Sequence, residues 1–166
     1  AFTVPGAQFL LNDEMDDFTT AVGAVNQMGL VQGEANAIAP GKRMLSSMTP
    51  TIVLDSAGAP VLVTGAAGGA YIITAVAHLI VSVIDYGKPL GEAMAAPQFH
   101  HQDVPDSLLV ERGAWADTAA TMMAPLGHAV KVSPWGSLAW VQGIKRRGTG
   151  RRGVREPRGS GLAKGY

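Results

Sequence analysis

The chain contains no cysteine among its 166 residues, which excludes disulfide bonds and thiolate metal sites. It also lacks a long apolar run. Its most apolar stretch, from Tyr71 to Tyr86, is too short to span a membrane and is interrupted by polar residues such as His78 and Asp85. The first residues have neither a basic segment nor a long apolar run, so they are not a signal peptide.

The length and the apolar content are typical of a single domain over residues 1–166 that can bury a core. The first residue is Ala1 rather than methionine, and the first residues resemble the interior of a β-strand rather than its beginning. We therefore expect a processed or truncated start.

The net charge of zero conceals two oppositely charged segments. Residues 1–144 carry 5 Lys and Arg against 12 Asp and Glu, a net of −7, whereas residues 145–166 carry 8 against 1, a net of +7. A basic block of this kind could bind nucleic acid. It has no aromatic residue for base stacking before Tyr166 and is broken by glycines, which favours a solvated basic hairpin or a loose tail.

The periodicity of apolar residues predicts a mixture of helices and strands. The helix over Tyr71–Tyr86 should end at Gly87, and Gly127 suits the C′ position of a helix over residues 116–126. Residues 12–17 suit a turn or loop, and residues 19–43 a long loop. The other expected elements are a helix at 89–96 and strands at 7–11, 51–54, 60–64, 108–110, 129–132 and 138–144, with 51–54 and 60–64 forming a hairpin. This pattern fits α+β or α/β and leaves the topology open.

A glycine-rich turn, Gly65-Ala66-Ala67-Gly68-Gly69, links an expected strand to an expected helix. Backbone N–H groups at such a helix N-terminus favour negative charge. A phosphate-binding loop is not supported, because no Gly-Lys-Ser/Thr follows. The remaining readings are an oxyanion hole for acyl transfer and a tight connection that needs small residues.

Two further polar groups are candidates for binding. Glu14, Asp16 and Asp17 are clustered acids that lack the further ligands of a metal site, so alone they read as a solvated turn. Ser46 and Ser47 have no local base and no Gly-x-Ser-x-Gly context, which makes them poor nucleophiles. Their hydroxyls are suited to donate hydrogen bonds to a carboxylate.

Taken in order, these motifs resemble the γ-glutamyltransferases, specifically the C-terminal part of their small subunit. The runs Glu14–Phe18, Leu45–Pro50 and Thr64–Gly69 carry the resemblance, and Ala96–Gln102 and Glu156–Arg158 add to it. It implies an α+β fold, a partial αββα sandwich of the N-terminal nucleophile hydrolase type. It also implies an incomplete small subunit: a pocket-forming part at 1–113, a helix and strands at 114–144, and a basic hairpin or tail at 145–166.

The resemblance assigns roles to six residues. Glu14 and Asp17 would hold the α-amino group of a glutamyl substrate, with Asp16 structural. Ser46 and Ser47 would hold its α-carboxylate, and Gly68 and Gly69 would form the oxyanion hole. His100 and His101, in the run Ala96–Gln102, are expected to be structural. Neither a metal nor an organic cofactor is expected.

The implied reaction is cleavage of γ-glutamyl amides such as glutathione through a γ-glutamyl-enzyme ester, with transfer to water or to an amino acid or peptide. Its nucleophile would be a threonine outside this chain, so the expected partner is a large-subunit chain or a missing upstream segment. The alternatives are an inactive γ-glutamyl-binding or structural remnant and a related cephalosporin or glutaryl acylase. Neither a membrane span nor a nucleic-acid partner is expected.

Overall fold

The structure is a computed structural model that describes residues 3–113 and 115–164. The chain divides into two compact units, Ala1–Ser46 and Ser47–Tyr166. The single-domain organisation stays a prediction. No helix in the described part of the chain is long and apolar enough to cross a membrane.

The N-terminal unit consists mainly of turns and loops, with two short 3-10 helices at Glu14–Asp17 and Glu34–Asn36. The long loop predicted for residues 19–43 is therefore confirmed apart from the second of these helices. The strand predicted at 7–11 is wrong, because these residues form no more than an isolated bridge at Leu10, and Phe9 and Leu10 are 54% and 65% exposed. Positive φ angles at Gly6 (80°) and Gln8 (57°) turn the chain where an extended strand would have to begin.

The described residues of the C-terminal unit form two sheets and three α-helices. In chain order the elements are β1 (Thr51–Leu54), β2 (Pro60–Ala67), α1 (Tyr71–Ile84), α2 (Leu90–Ala95), β3 (Phe99–His100), β4 (Leu108–Val110), α3 (Trp115–Met123), β5 (Val130–Val132), β6 (Trp140–Arg147) and β7 (Gly150–Val154). One sheet has the strand order β1-β2-β6-β7 with antiparallel neighbours; in the other, of order β3-β4-β5, the last pair is parallel. The predicted hairpin and the predicted helix after it are confirmed as β1–β2 and α1.

One face of the four-stranded sheet packs against α1 and α2. Leu62 on β2 is fully buried on this face, since alternate residues of a strand point to opposite sides. Gly143 on β6 lies on the same side, where a Cβ would come within 3.0 Å of the Leu90 side chain and 3.5 Å of the Leu79 side chain. The small residue on β6 therefore lets both helices approach the sheet closely.

The opposite face of this sheet is apolar and exposed. Ile52, Val63 and Ile144 lie side by side on β1, β2 and β6, because Val63 pairs with both of the others. Their exposed fractions are 61%, 41% and 47%. Adjacent strands thus present a row of apolar side chains to the surroundings.

The second sheet packs against α3 around the fully buried Val110. A 3-10 turn follows α3, and Gly127 ends it with φ 84°, as predicted for a helix-ending glycine.

The basic C-terminal segment begins as the β6–β7 hairpin. Lys145 lies opposite Arg152, and Arg146 lies opposite Arg151. Such like-charged cross-strand pairs are unfavourable unless the charge is compensated. Arg146 is compensated by Asp55, which its Nη2 contacts at 2.6 Å, and this hydrogen bond lowers the pKa of the Asp55 carboxyl.

Candidate functional site

The predicted ammonium-binding acids lie in the first 3-10 helix, which begins at Glu14 and ends at Asp17. Residues three apart eclipse each other in a 3-10 helix, so Glu14 and Asp17 share one side, whereas Asp16 is rotated away by about a third of a turn. Both side chains are partly exposed. Two carboxylates on one side match the several donors of an ammonium group.

Asn36 ties this acidic helix to the segment that leads into the serines. Its Nδ2 donates to the Asp17 carbonyl at 2.6 Å, and its Oδ1 accepts a hydrogen bond from the Leu45 N–H at 2.8 Å. Sequence reasoning missed this residue. The usable signal was chemical, because an amide side chain can both donate and accept and so satisfy two backbone groups at once.

The loop between Asn36 and the serines is closed by Lys42. Its Nζ donates to the carbonyls of Ala35 and Ala37 at 2.8 and 2.9 Å. Ser46, the last residue of the N-terminal unit, is exposed, and Ser47, the first of the C-terminal unit, is half-buried. The N-terminal unit therefore brings together the segments of Asp17 and Ser46, whereas Ser47 belongs to the unit that contains the glycine turn.

The glycine turn connects β2 to α1. Gly68 and Gly69 have φ angles of 151° and 57°, and their carbonyls accept the first hydrogen bonds of the helix, from Tyr71 and Ile72. Among the hydrogen bonds of the described residues, none is donated by the N–H of Gly68 or Gly69. The turn thus offers two backbone donors at the positive end of a 14-residue helix.

Gly68 also makes a close contact that no other residue would allow. A Cβ at this position would lie 2.8 Å from the Ala139 Cβ and 2.9 Å from the Leu138 carbonyl oxygen. The turn therefore rests directly on the backbone that precedes β6. The two readings that the sequence left open, an oxyanion hole and a tight connection, are compatible in this geometry.

The histidines near the turn are held by structural contacts. The buried His100 has its Nδ1 2.9 Å from Thr74 Oγ1 and its Nε2 2.9 Å from Gln102 Oε1. Burial lowers the pKa of His100, and burial together with the nearby His100 lowers the pKa of His78, so both favour the neutral form. No group of three or more His, Asp or Glu side chains within residues 3–113 and 115–164 is placed to hold a metal ion.

Comparison with solved structures identifies the fold as that of the N-terminal nucleophile hydrolases. The chain superposes on γ-glutamyltranspeptidase from Pseudomonas nitroreducens complexed with L-DON with a TM-score of 0.88 and 38% sequence identity, covering 99% of this chain and 86% of that one. The model of the gamma-glutamyltranspeptidase family matches residues 1–166. The chain therefore belongs to the γ-glutamyltranspeptidase family, which confirms both the resemblance and the predicted fold class.

Two curated relatives show how much of the family's length is covered. The glutathione hydrolase proenzyme of Escherichia coli (strain K12) is 52% identical over 115 residues, which are 69% of this chain and 20% of that protein. The glutathione hydrolase proenzyme of Pseudomonas aeruginosa is 40% identical over 161 residues, which are 96% of this chain and 28% of that protein. The chain thus spans between a fifth and a third of the length of these relatives.

Proposed function

We propose that this chain is part of a γ-glutamyltransferase that cleaves γ-glutamyl amides such as glutathione and transfers the acyl group to water, an amino acid or a peptide. Family membership and relatives named glutathione hydrolase proenzymes support the proposal. The observation that carries it is the turn at Gly68 and Gly69, whose N–H groups donate to no described residue at the start of α1.

In the proposed donor site, Glu14 and Asp17 bind the α-ammonium group of the glutamyl substrate. Ser46 and Ser47 donate hydrogen bonds to its α-carboxylate. The shared side of the first 3-10 helix supports the acid pair. The Asn36 bonds to the Asp17 carbonyl and the Leu45 N–H support a link, within the N-terminal unit, between the acids and the segment that ends at Ser46.

The proposed chemistry uses a threonine hydroxyl that lies outside these 166 residues. Its oxygen attacks the γ-carbonyl carbon, and its proton passes through the threonine's own amino group to the departing amine as the C–N bond breaks. Gly68 and Gly69 N–H groups stabilise the negative oxygen of the tetrahedral intermediate. Water or an acceptor amine then attacks the γ-glutamyl ester and releases the threonine.

We further propose that the exposed face of the four-stranded sheet packs against residues outside this chain, from a large subunit or an upstream segment. The row of Ile52, Val63 and Ile144 supports this, since apolar surface shared by adjacent strands is typical of an interface. The αββα sandwich fold is consistent with such a partner, because a sandwich packs a second sheet against the face of the first.

The donor site is tested by comparing Asp17→Ala with Asp16→Ala in the complete enzyme. Asp17→Ala should raise KM for γ-glutamyl-p-nitroanilide about tenfold to a hundredfold, because a lost charge-assisted hydrogen bond costs roughly 1.5–3 kcal/mol. Asp16→Ala, on another side of the helix, should leave KM within about twofold.

Equal effects of the two substitutions would refute the donor-site assignment. A wild-type enzyme that cleaves glutaryl-p-nitroanilide, which has no α-amino group, in preference to the γ-glutamyl compound would indicate an acylase. Glutamate binding without any turnover would indicate an inactive γ-glutamyl-binding protein.

A further inference from the structure

A buried ion cluster joins two distant segments of the C-terminal unit, one at Glu111 and one at Glu156 and Arg158. The Arg158 guanidinium binds both carboxylate oxygens of Glu111, with Nε 2.6 Å from Oε1 and Nη2 2.8 Å from Oε2. Its Nη1 lies 3.1 Å from Oε1 of Glu156. The side chains of Arg158, Glu111 and Glu156 are only 13%, 8% and 3% exposed. Solvent therefore screens these charges little.

The same guanidinium also fixes the end of α2. Nη1 donates to the Met94 carbonyl and Nη2 to the Ala96 carbonyl, each at 2.6 Å. Burial on its own would lower the pKa of Arg158, but its hydrogen bonds and charge attraction to Glu111 and Glu156 outweigh that effect and raise it. The guanidinium is therefore a permanently charged centre with a fixed orientation.

From this cluster, hydrogen bonds lead to the backbone on which the glycine turn rests. Glu111 Oε1 accepts from the Leu138 N–H at 3.3 Å, and Glu111 Oε2 accepts from the Gln98 N–H at 2.9 Å. The Gln98 side chain in turn accepts from the Ala139 N–H at 2.9 Å. Leu138 and Ala139 are the residues that a Cβ on Gly68 would strike.

Glu156 holds the same backbone two residues further on. Its Oε2 accepts a hydrogen bond from the Val141 N–H at 2.6 Å, while its Oε1 accepts from the Arg158 N–H at 2.9 Å. The two carboxylates that flank Arg158 therefore fix the backbone from Leu138 to Val141. Within the turn, Gly68 lies directly against this backbone at Leu138 and Ala139.

We propose that Arg158, acting through Glu111, is a positioning residue for the Gly68–Gly69 turn and sets how well its N–H groups meet the transition-state oxyanion. This inference rests on the proposed function. Catalytic groups must be held to within about 0.5 Å of their productive position, and a displacement of about 1 Å can cost a hundredfold in rate. A buried ion pair alone is weak support for a stabilising role, since apolar replacements are often as stable.

The test compares R158Q, R158K and R155Q in the complete enzyme with γ-glutamyl-p-nitroanilide. R158Q should lower kcat about tenfold to a hundredfold and leave KM and inhibition by glutamate within about twofold, because the ground-state contacts at Glu14 and Asp17 are untouched. R158K keeps the positive charge but cannot form the bidentate hydrogen bonds to Glu111. Its loss of kcat should therefore be smaller than that of R158Q. R155Q removes an exposed neighbouring arginine and should match the wild type.

A transition-state readout separates positioning from general damage. A glutamate analogue with a boronic acid in place of the γ-carboxyl forms a tetrahedral adduct with a hydroxyl nucleophile and so places an oxygen in the oxyanion site. R158Q should weaken its inhibition by the same factor as kcat. Equal losses in glutamate and boronate inhibition, or no loss in either, would overturn the inference. If R158Q does not fold, the comparison of glutamate and boronate inhibition in R158K tests the inference instead.

Amide hydrogen exchange of the peptide containing Leu138 and Ala139, measured on the same proteins, tests the structural link independently of activity. Exchange there should be faster in R158Q and R158K than in the wild type and R155Q. A wild-type enzyme without turnover would overturn the proposed function, while unchanged exchange would overturn the link from Arg158 to the turn. An active enzyme whose variants show neither effect would overturn this inference alone.

Discussion

Replacing Gly68 with alanine should lower kcat/KM of the complete enzyme for γ-glutamyl-p-nitroanilide by about a hundredfold, since a shift of about 1 Å in a catalytic group has that effect. The new Cβ would lie 2.8 Å from the Ala139 Cβ and 2.9 Å from the Leu138 oxygen, and backbone cannot yield as a flexible side chain can. The turn would have to move away from its support. Overpacking of this kind should also lower the free energy of unfolding by about 1–3 kcal/mol.

Gly65→Ala is the matched control from the same motif. A Cβ at Gly65 would lie 3.9 Å from the Pro50 Cα, which is an ordinary van der Waals distance. Alanine is also the better residue inside a strand, so this variant should keep the wild-type rate and stability. Steady-state kinetics and urea unfolding measure both effects. A Gly68→Ala enzyme as active and stable as Gly65→Ala would contradict the close approach and its proposed role.

The second large effect concerns stability. Arg158→Gln should lower the free energy of unfolding by about 3–5 kcal/mol, because it leaves the buried Glu111 carboxylate without its charged partner. It would also weaken the hydrogen bonds to the Met94 and Ala96 carbonyls. Such a loss is a substantial part of the roughly 5–15 kcal/mol that stabilises a typical domain, which is why R158K accompanies it in the kinetic test.

Urea unfolding of R158Q, E111Q, R155Q and the double variant E111Q/R158Q measures this coupling. The double variant removes both charges and should recover part of the stability lost in R158Q, whereas the exposed R155Q should unfold at the wild-type midpoint. Additive losses from Glu111 and Arg158 would show that the two residues do not depend on each other.

Elements defined by neighbouring residues were predictable from the sequence. The β1–β2 hairpin and α1 follow from the spacing of their apolar residues. Each element buries one face, and apolar residues recur along that face with the period of a strand or of a helix. The strand expected at residues 7–11 failed, since the apolar run of Phe9 and Leu10 outweighed the turn signals before it. Gly6 was a sequence signal for that turn, because glycine readily adopts a positive φ angle. No sequence feature predicted the positive φ angle of Gln8.

Contacts between distant residues were not predictable in this way. Glu111 and Arg158 are separated by 46 residues, and no periodicity relates them. The Glu156–Arg158 motif was recognised by resemblance alone, without its buried partner Glu111. The parallel pairing of β4 with β5 was missed for the same reason, because it depends on tertiary packing across α3.

In the candidate site, too, local sequence features were predictable and three-dimensional arrangements were not. The residue types of the acidic, serine and glycine motifs were evident, but residues 12–17 were expected to be only a turn or loop. The 3-10 helix that separates Glu14 and Asp17 from Asp16 and the bridging role of Asn36 emerged only from the structure. The six proposed roles at Glu14, Asp17, Ser46, Ser47, Gly68 and Gly69 stay predictions.

A crystal structure of the complete enzyme reacted with the boronic acid analogue of glutamate would test the proposed pocket most directly. We expect a boronate oxygen about 2.7–3.1 Å from the N–H nitrogens of Gly68 and Gly69. The ammonium group should contact Glu14 and Asp17, and the α-carboxylate should contact Ser46 and Ser47. An adduct whose tetrahedral oxygen lies away from the glycine turn, or whose ammonium group avoids both acids, would contradict the assignment.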